Sequence, residues 1–287
     1  MRETSNPVFR SLPRQRGGYA QFGTGAAGAA QQLGHNYQAQ QADPYATQYR
    51  PTEVSRPLTI DDVVTKTGIT LGVLSVVAVI SYYLAATNMA LAQPLTLVGA
   101  FGGLGLIMFA TFTRRQDSKA LVLAYAALEG AFLGAVSFML AAVTVGTSNA
   151  GAMIGQAVLG TFGVFAGMLV VYKTGAIRVT PKFTRMVVAA LFGVLALMIG
   201  DLVLGMFGVD GGAGLGLRSG GPLAIVFSLV CIGIAAFSFL IDFDAADQMI
   251  RAGAPAKAAW GIALGLTVTL VWLYLEILRL LSYFQND

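Results

Sequence analysis

From Ile60 onward the chain alternates long apolar runs with short polar breaks, whereas residues 1–57 contain no apolar run. Each run is close to the roughly 20 residues that an α-helix needs to cross the hydrocarbon core of a bilayer. The runs do not alternate apolar with polar positions, so they do not predict the roughly ten-residue strands of a membrane barrel. The pattern predicts seven transmembrane helices, at about 68–87, 94–113, 120–145, 152–172, 186–207, 222–241 and 258–284.

The composition supports an all-α, polytopic membrane protein. Hydrophobic residues make up 56% of the chain and charged residues only 11%, whereas an ordinary soluble domain carries roughly 25% charged residues. Cys231 is the single cysteine, which excludes a disulfide framework and a multi-cysteine metal site. The single histidine, His35, precedes the first span, which excludes intramembrane haem, HExxH zinc or Ser–His chemistry. We therefore expect no enzyme activity, no cofactor and no resident metal.

Residues 1–57 are rich in Gln, Gly, Ala, Tyr and Pro. Such a segment buries too little apolar surface to offset the entropy of ordering it, so we predict a disordered cytoplasmic tail before a seven-span domain at 58–287. The tail carries six arginines against three acids. It is therefore either simply solvated or held near anionic lipid headgroups, and nucleic acid is not an expected partner. Thr59 is the expected N-cap of the first helix, ahead of Asp61 and Asp62.

The polar breaks differ in charge. The first, third and fifth connections hold one basic residue, Arg218, whereas the other side holds twelve. Cytoplasmic loops of membrane proteins carry an excess of Lys and Arg, so we predict a cytoplasmic N-terminus and an external C-terminus. The twelve residues are Arg50, Arg56, Lys66, Arg114, Arg115, Lys119, Lys173, Arg178, Lys182, Arg185, Arg251 and Lys257.

Four carboxylates fall at membrane depth: Glu129, Asp201, Asp242 and Glu276. Charged groups are costly inside a bilayer, so each is a candidate for a proton-sensing or ion-conducting role. Glu129 is the hardest to explain structurally, because no basic residue lies within one helical turn of it. An intramembrane aspartyl protease would need a GxGD segment, and residues 198–201 lack its first glycine.

The other three carboxylates also have structural explanations. A carboxylate and a guanidinium three residues apart on a helix can simply pair, and helix ends are often solvated. On this basis Glu276 pairs with Arg279, Asp242 belongs to a solvated helix end with Asp244 and Asp247, and Asp201 lies close to the outer interface.

Two segments carry a resemblance to a known family. The sixth span closes with Leu240-Ile241-Asp242, and the last span contains LYLEIL at residues 273–278. With seven spans, these segments resemble the Bax inhibitor-1 family, also called the transmembrane Bax inhibitor motif family, over about residues 58–284. The Gly- and Ala-rich tail is similar to that of a bacterial branch.

The resemblance implies two layers of three helices around a central last helix, and a pH-sensitive Ca²⁺ leak across a bacterial plasma membrane. In the family, acidic residues in spans six and seven share a proton, and an arginine at the cytoplasmic end of span two latches to them. Carried over by motif, the pair is Asp242 and Glu276, and the latch is Arg114 with Arg115 as its neighbour. The implied partners are lipid, protons and Ca²⁺.

The sequence departs from the family pattern in three ways. Glu276 replaces an aspartate, Ile241 replaces a tyrosine, and the two acids are 34 residues apart. From Ala258, Glu276 lies about 27 Å along its helix, near the far side from Asp242 unless the helices extend or tilt. If they do not, Glu129 and Asp201 become the better neighbours of Glu276. The alternative function is a non-transporting regulator of stress survival or membrane protein quality control that binds a membrane-anchored AAA protease.

Overall fold

The computed structural model describes residues 56–145, 149–208 and 214–285. Seven helices in these ranges are long and apolar enough to cross a membrane, which confirms the seven predicted spans. The predicted tail lies almost wholly outside the described residues. The helices are α1 (Ile60–Thr87), α2 (Ala92–Phe112), α3 (Lys119–Val145), α4 (Ala150–Thr174), α5 (Pro181–Met206), α6 (Pro222–Arg251) and α7 (Ala259–Phe284).

The last helix is the centre of the bundle, as expected. α7 packs against α1, α3, α4 and α6, whereas α2 packs mainly on α3 and α5 mainly on α6. A helix that is apolar around most of its circumference is covered either by protein or by the membrane. α7 is covered by protein: Leu266, Leu270 and Leu273 are buried in a cluster with Phe239 and Phe243 of α6.

Glycines allow α3 to approach two neighbours closely. A Cβ atom added at Gly99 of α2 would lie 2.6 Å from the backbone nitrogen of Phe132. A Cβ atom at Gly130 of α3 would lie 2.5 Å from the carbonyl oxygen of Leu74, and one at Gly134 would meet the carbonyl oxygen of Ala78. Small residues of this kind let transmembrane backbones come into direct contact.

The start of α1 is bound to the connection between α6 and α7. Thr59 and Asp62 form a capping box, and Arg56 pairs with Asp62 at 2.7 Å. The backbone nitrogen of Leu58 donates to Ala254, and that of Ala256 donates to Arg56. Arg56 and Leu58 are therefore joined to the α6–α7 connection by these bonds.

α6 extends about ten residues beyond its predicted end at 241, to Arg251. Apolar content marks only the part of a helix that faces apolar surroundings, and the last turns of α6 are polar. An Asp247–Arg251 ion pair of 2.7 Å, one turn apart, supports this extension. It reaches the end of the bundle at which α1, α3, α5 and α7 begin, and we call this the basic end.

Candidate functional site

Asp242 lies on α6, and its side chain is hydrogen-bonded to α7. The hydroxyl of Thr269 donates to its Oδ2 atom at 2.7 Å. No cationic side chain forms an ion pair with Asp242 among the residues that the structure describes. Counted from the basic-end terminus of α6, the residue lies roughly 14 Å into the bundle. Asp242 is thus a partly buried carboxylate that is hydrogen-bonded but not charge-compensated.

The neighbouring acids of α6 behave differently. The hydroxyl of Tyr172 donates to Asp244 at 3.4 Å and to Asp247 at 3.3 Å, which ties α4 to α6. Gln248 also donates to Asp244, at 2.6 Å. These two acids form a polar network at the helix end. Asp242 is not part of that network, because its side chain meets α7 instead.

Glu276 has its own cation. Its side chain is 1% exposed, and its Oε1 atom lies 2.8 Å from the Arg279 guanidinium, whose side chain is 18% exposed. Ser228 of α6 donates to Oε2 at 3.3 Å. The predicted local pairing of Glu276 with Arg279 is therefore present. A buried carboxylate with a cation and a second donor is well satisfied.

The structure does not bring Asp242 and Glu276 together. Thr269, the partner of Asp242, is two helical turns before Glu276 on α7, a rise of about 10 Å. Ser228, the partner of Glu276, is about 21 Å from Asp242 along α6. The two helices run antiparallel, so the 34-residue spacing places the acids at different depths. The shared-proton pair implied by the family motif is absent from this conformation.

Asp201 lies at the opposite end from the basic residues and holds a loop. Its Oδ1 atom accepts the backbone N–H of Leu215 at 2.8 Å, and the residue is 8% exposed. Gly214 passes close to the Asp201 backbone with a φ of 66°, a conformation and a proximity that favour glycine. Arg218 is within electrostatic range of both Asp201 and Glu276. Asp201 and Glu276 have separate hydrogen-bond partners, so the alternative pairing of these two acids stays a prediction.

Glu129 lies on α3 at a depth similar to that of Asp242, roughly 15 Å from the basic-end terminus of its helix. It faces α2 across Gly103, where an added Cβ atom would come within 3.0 Å of Oε1. Tyr125, one turn earlier on α3, is a polar neighbour. The Oε2 atom is buried and has no hydrogen-bond partner among the described residues. Glu129 is not placed beside Glu276.

Arg114 and Arg115 do not act as a latch in this conformation. Both are exposed after the end of α2, and Arg114 has a φ of 53°. Neither forms an ion pair within the described part of the chain. The next acid along the chain, Asp117, pairs instead with Lys257 at 3.1 Å, which joins the α2–α3 connection to the α6–α7 connection.

Sequence reasoning missed the hydroxyl partners of the acids, Thr269 and Ser228. Either could have been noticed as a polar side chain in an otherwise apolar span, but such residues often bond to their own helix. Thr267 does this, by donating to Ala263 at 2.7 Å. Among the residues that the structure describes, no three His, Cys, Asp or Glu side chains gather as metal ligands.

Comparison with known proteins places the chain in a family. The family described as Bax inhibitor 1 like matches residues 6–286, nearly the whole chain, so the chain belongs to it. The match begins at residue 6, inside the predicted tail, whereas the resemblance seen in the sequence motifs begins at about residue 58. A search of curated proteins finds no match for this chain.

Proposed function

We propose that this Bax inhibitor 1 like protein is a pH-sensitive cation leak pathway, for Ca²⁺ in the first place, and that Asp242 rather than a carboxylate pair is its ion-binding group. One observation carries the proposal: Asp242 lies inside the bundle beside a hydroxyl, and no cationic side chain of the described residues pairs with it. Its charge therefore has to be met by a proton or by an ion that enters from solution.

The chemistry of the group supports Ca²⁺. A buried charge without compensation is strongly unfavourable, so a bare carboxylate at this depth attracts a cation or takes up a proton. Carboxylate and hydroxyl oxygens are hard ligands of the kind that Ca²⁺ prefers. Because a proton and Ca²⁺ compete for the same oxygen atoms, Ca²⁺ flux through the site depends on pH.

The groups that the other carboxylates contact indicate their roles. Glu129 has one buried oxygen without a partner among the described residues, so it is the second candidate for the pathway. Glu276 is already neutralised by Arg279, and Asp201 is occupied by the Leu215 backbone. We therefore assign Glu276 and Asp201 to the stability of the opposite end. Arg114 and Arg115 remain latch candidates only for a conformation in which α2 moves.

The test is Ca²⁺ flux into liposomes that contain only this protein, measured with an enclosed fluorescent indicator from about pH 6 to 8. We expect a flux that changes steeply over this range in the wild type. Asp242→Asn removes the charge while keeping the shape, so we expect the flux to fall roughly tenfold or more, the equivalent of about 1.4 kcal/mol, and its pH dependence to flatten.

Asp244→Asn is the matched control. It makes the same chemical change two residues away, where Tyr172 and Gln248 can still bond to the amide. We expect it to leave the flux unchanged. Equal loss in both variants would mean that the effect is not specific to Asp242. If Glu129→Gln flattens the pH curve and Asp242→Asn does not, the pathway follows α3 instead.

If the wild-type protein passes no Ca²⁺ at any pH in this range, the leak proposal is wrong. The alternative, a non-transporting regulator that binds a membrane-anchored AAA protease, would then be the better proposal. A direct test of it is copurification of the protease with the wild-type protein from mildly solubilised membranes.

A further inference from the structure

A cavity of about 390 Å³ lies between α1, α3, α4 and α7, away from the carboxylates described above. Its walls are mostly aliphatic and aromatic, and they include Leu74, Val79, Val158, Phe162 and Leu270. Pockets that bind small molecules typically measure about 300–1,000 Å³. The cavity is therefore large enough for a specific occupant.

Three of the hydroxyl groups at the cavity wall already have hydrogen-bond partners in the protein. The hydroxyls of Ser137 and Tyr274 bond to each other across α3 and α7 at 2.8 Å. Thr161 donates to the carbonyl oxygen of Ala157 in its own helix at 2.7 Å. A space whose walls are mostly apolar, and in which these three hydroxyls already have protein partners, offers little to water, so it favours an apolar occupant.

The cavity is partly open between α1 and α4. These two helices each pack against α3 and α7, and they share no extensive contact with each other. Apolar side chains that line the cavity are also exposed on the outside of the bundle, namely Val79 at 69% and Phe162 at 49%. Both helices are membrane spans, so the surroundings of this opening are lipid chains rather than water.

The volume of the cavity is close to that of one lipid acyl chain. An apolar cavity of about 150 Å³ holds one benzene molecule, so by the same scale 390 Å³ holds roughly fifteen carbon atoms. Gly151, at the start of α4, lines the cavity, and so does Tyr82, near the end of α1. Both lie toward the end of the bundle opposite the basic end. A lipid whose chain enters here has its headgroup at that end.

We propose that this cavity binds one acyl chain of a membrane phospholipid, taken laterally from the bilayer between α1 and α4, with the headgroup at the end opposite the basic residues. The proposal does not depend on Ca²⁺ leak. The acyl chain makes van der Waals contacts with the side chains that line the cavity. The bound lipid therefore stabilises the packing of α1 and α4 on α7.

The experiment uses the full-length protein in liposomes of phosphatidylglycerol that carry a photoreactive diazirine in the middle of one acyl chain. After illumination, labelled peptides are mapped by mass spectrometry. We expect labelling to concentrate in residues 71–82 and 151–162. Labelling spread evenly over the lipid-facing sides of all seven helices would show ordinary boundary lipid and would overturn the proposal.

Two glycines on α4 provide a matched pair of variants. Gly151 lines the cavity and Gly155 does not, and a Cβ atom added at either position meets nothing within 4 Å. We expect Gly151→Phe to fill the opening and reduce labelling roughly tenfold, because a packed side chain and a lipid chain cannot share one space. Gly155→Phe, one turn away, should label like the wild type. Equal labelling of both variants contradicts the proposal.

Val158→Phe is the second filling variant, in case Gly151→Phe does not fold. Val158 lines the cavity and is 38% exposed, so the larger ring has room to adjust. It too should reduce labelling. Native mass spectrometry after extensive delipidation supplies a separate measurement: we expect one phospholipid retained per wild-type chain and none on either filling variant. A wild-type chain that retains no phospholipid contradicts the proposal.

Discussion

The Glu276–Arg279 pair allows a sharp test of whether Glu276 stabilises the bundle or takes part in gating. Replacing Arg279 with methionine keeps much of the side-chain volume but leaves the Glu276 carboxylate, 1% exposed, without its cation. Removing one partner of a buried ion pair typically costs about 3–5 kcal/mol, because the remaining charge is uncompensated. We expect Arg279→Met to fall in this range.

The reverse change should be milder. In Glu276→Gln the unpaired group is Arg279, whose side chain is 18% exposed and whose long stem can carry the guanidinium toward the surface. Ser228 can still bond to the glutamine amide. We expect a cost of about 1.5–3 kcal/mol, that of losing one charge-assisted hydrogen bond. The double variant leaves no uncompensated charge, so it should be more stable than Arg279→Met alone.

The assay is thermal unfolding of the purified protein in detergent, followed by tryptophan fluorescence. One kcal/mol corresponds to roughly 2–4 °C in a domain of this size, so Arg279→Met should lower the midpoint by about 6–20 °C. The control is Arg251→Met, because the Arg251–Asp247 pair has a comparable length, 2.7 Å, but its arginine side chain is 78% exposed. Exposed pairs contribute about 0–1 kcal/mol.

The reasoning is refuted if Arg279→Met is no less stable than Arg251→Met. It is also refuted if the double variant loses the sum of the two single losses, because residues that act as a pair must show coupling. Either outcome would mean that the buried carboxylate is neutralised by something other than Arg279.

Two further predictions concern topology and packing. The topology is tested in a cysteine-free background with an impermeant thiol reagent added outside intact cells. The reagent should label Ala90→Cys, in the exposed α1–α2 connection, but not Ala176→Cys, in the exposed α4–α5 connection. Labelling of both would overturn the predicted orientation. Gly134→Ala should destabilise the bundle by about 1–3 kcal/mol by overpacking α3 against Ala78. Gly163→Ala, where an added Cβ meets nothing, should change stability by less than about 1 kcal/mol, and equal midpoints for the two variants would contradict this packing argument.

The helices were the part of the structure that the sequence predicted best, because long apolar runs are a direct physical requirement of crossing a bilayer. The apolar runs predicted the helix ends less well, because a helix can continue through polar residues outside the hydrocarbon core. α6 continues from 241 to Arg251 through polar turns that hydropathy does not detect. The capping box at Thr59 and Asp62 was foreseeable, since it depends on residue types three positions apart.

Glycine spacing alone does not determine where helices pack closely. Of the GxxxG pairs in the sequence, Gly99/Gly103 and Gly130/Gly134 meet neighbouring helices closely, whereas added Cβ atoms at Gly163 and Gly167 would meet nothing within 4 Å. The spacing places two glycines on one helix face, but it does not say what faces them.

The carboxylate pair shows the corresponding limit of a motif. The residues around Asp242 and Glu276 indicated the family correctly, and the family match confirms it. A motif does not fix the depth at which its residues meet across two antiparallel helices. Here Thr269 and Ser228, which the motif does not include, determine which atoms each acid contacts.

The carboxylates at membrane depth therefore differ in their partners between the two halves of the bundle. Asp242 and Glu129 lie in the half near the basic end and have hydroxyl neighbours but no ion pair among the described residues. Glu276 lies in the other half and is neutralised locally. A buried charged group without an ion pair is unfavourable, and such groups in membrane spans usually have a function. We therefore expect ion or proton binding in the half near the basic end. Substitutions at Asp242 should then change flux more than unfolding, and substitutions at Arg279 should change unfolding more than flux.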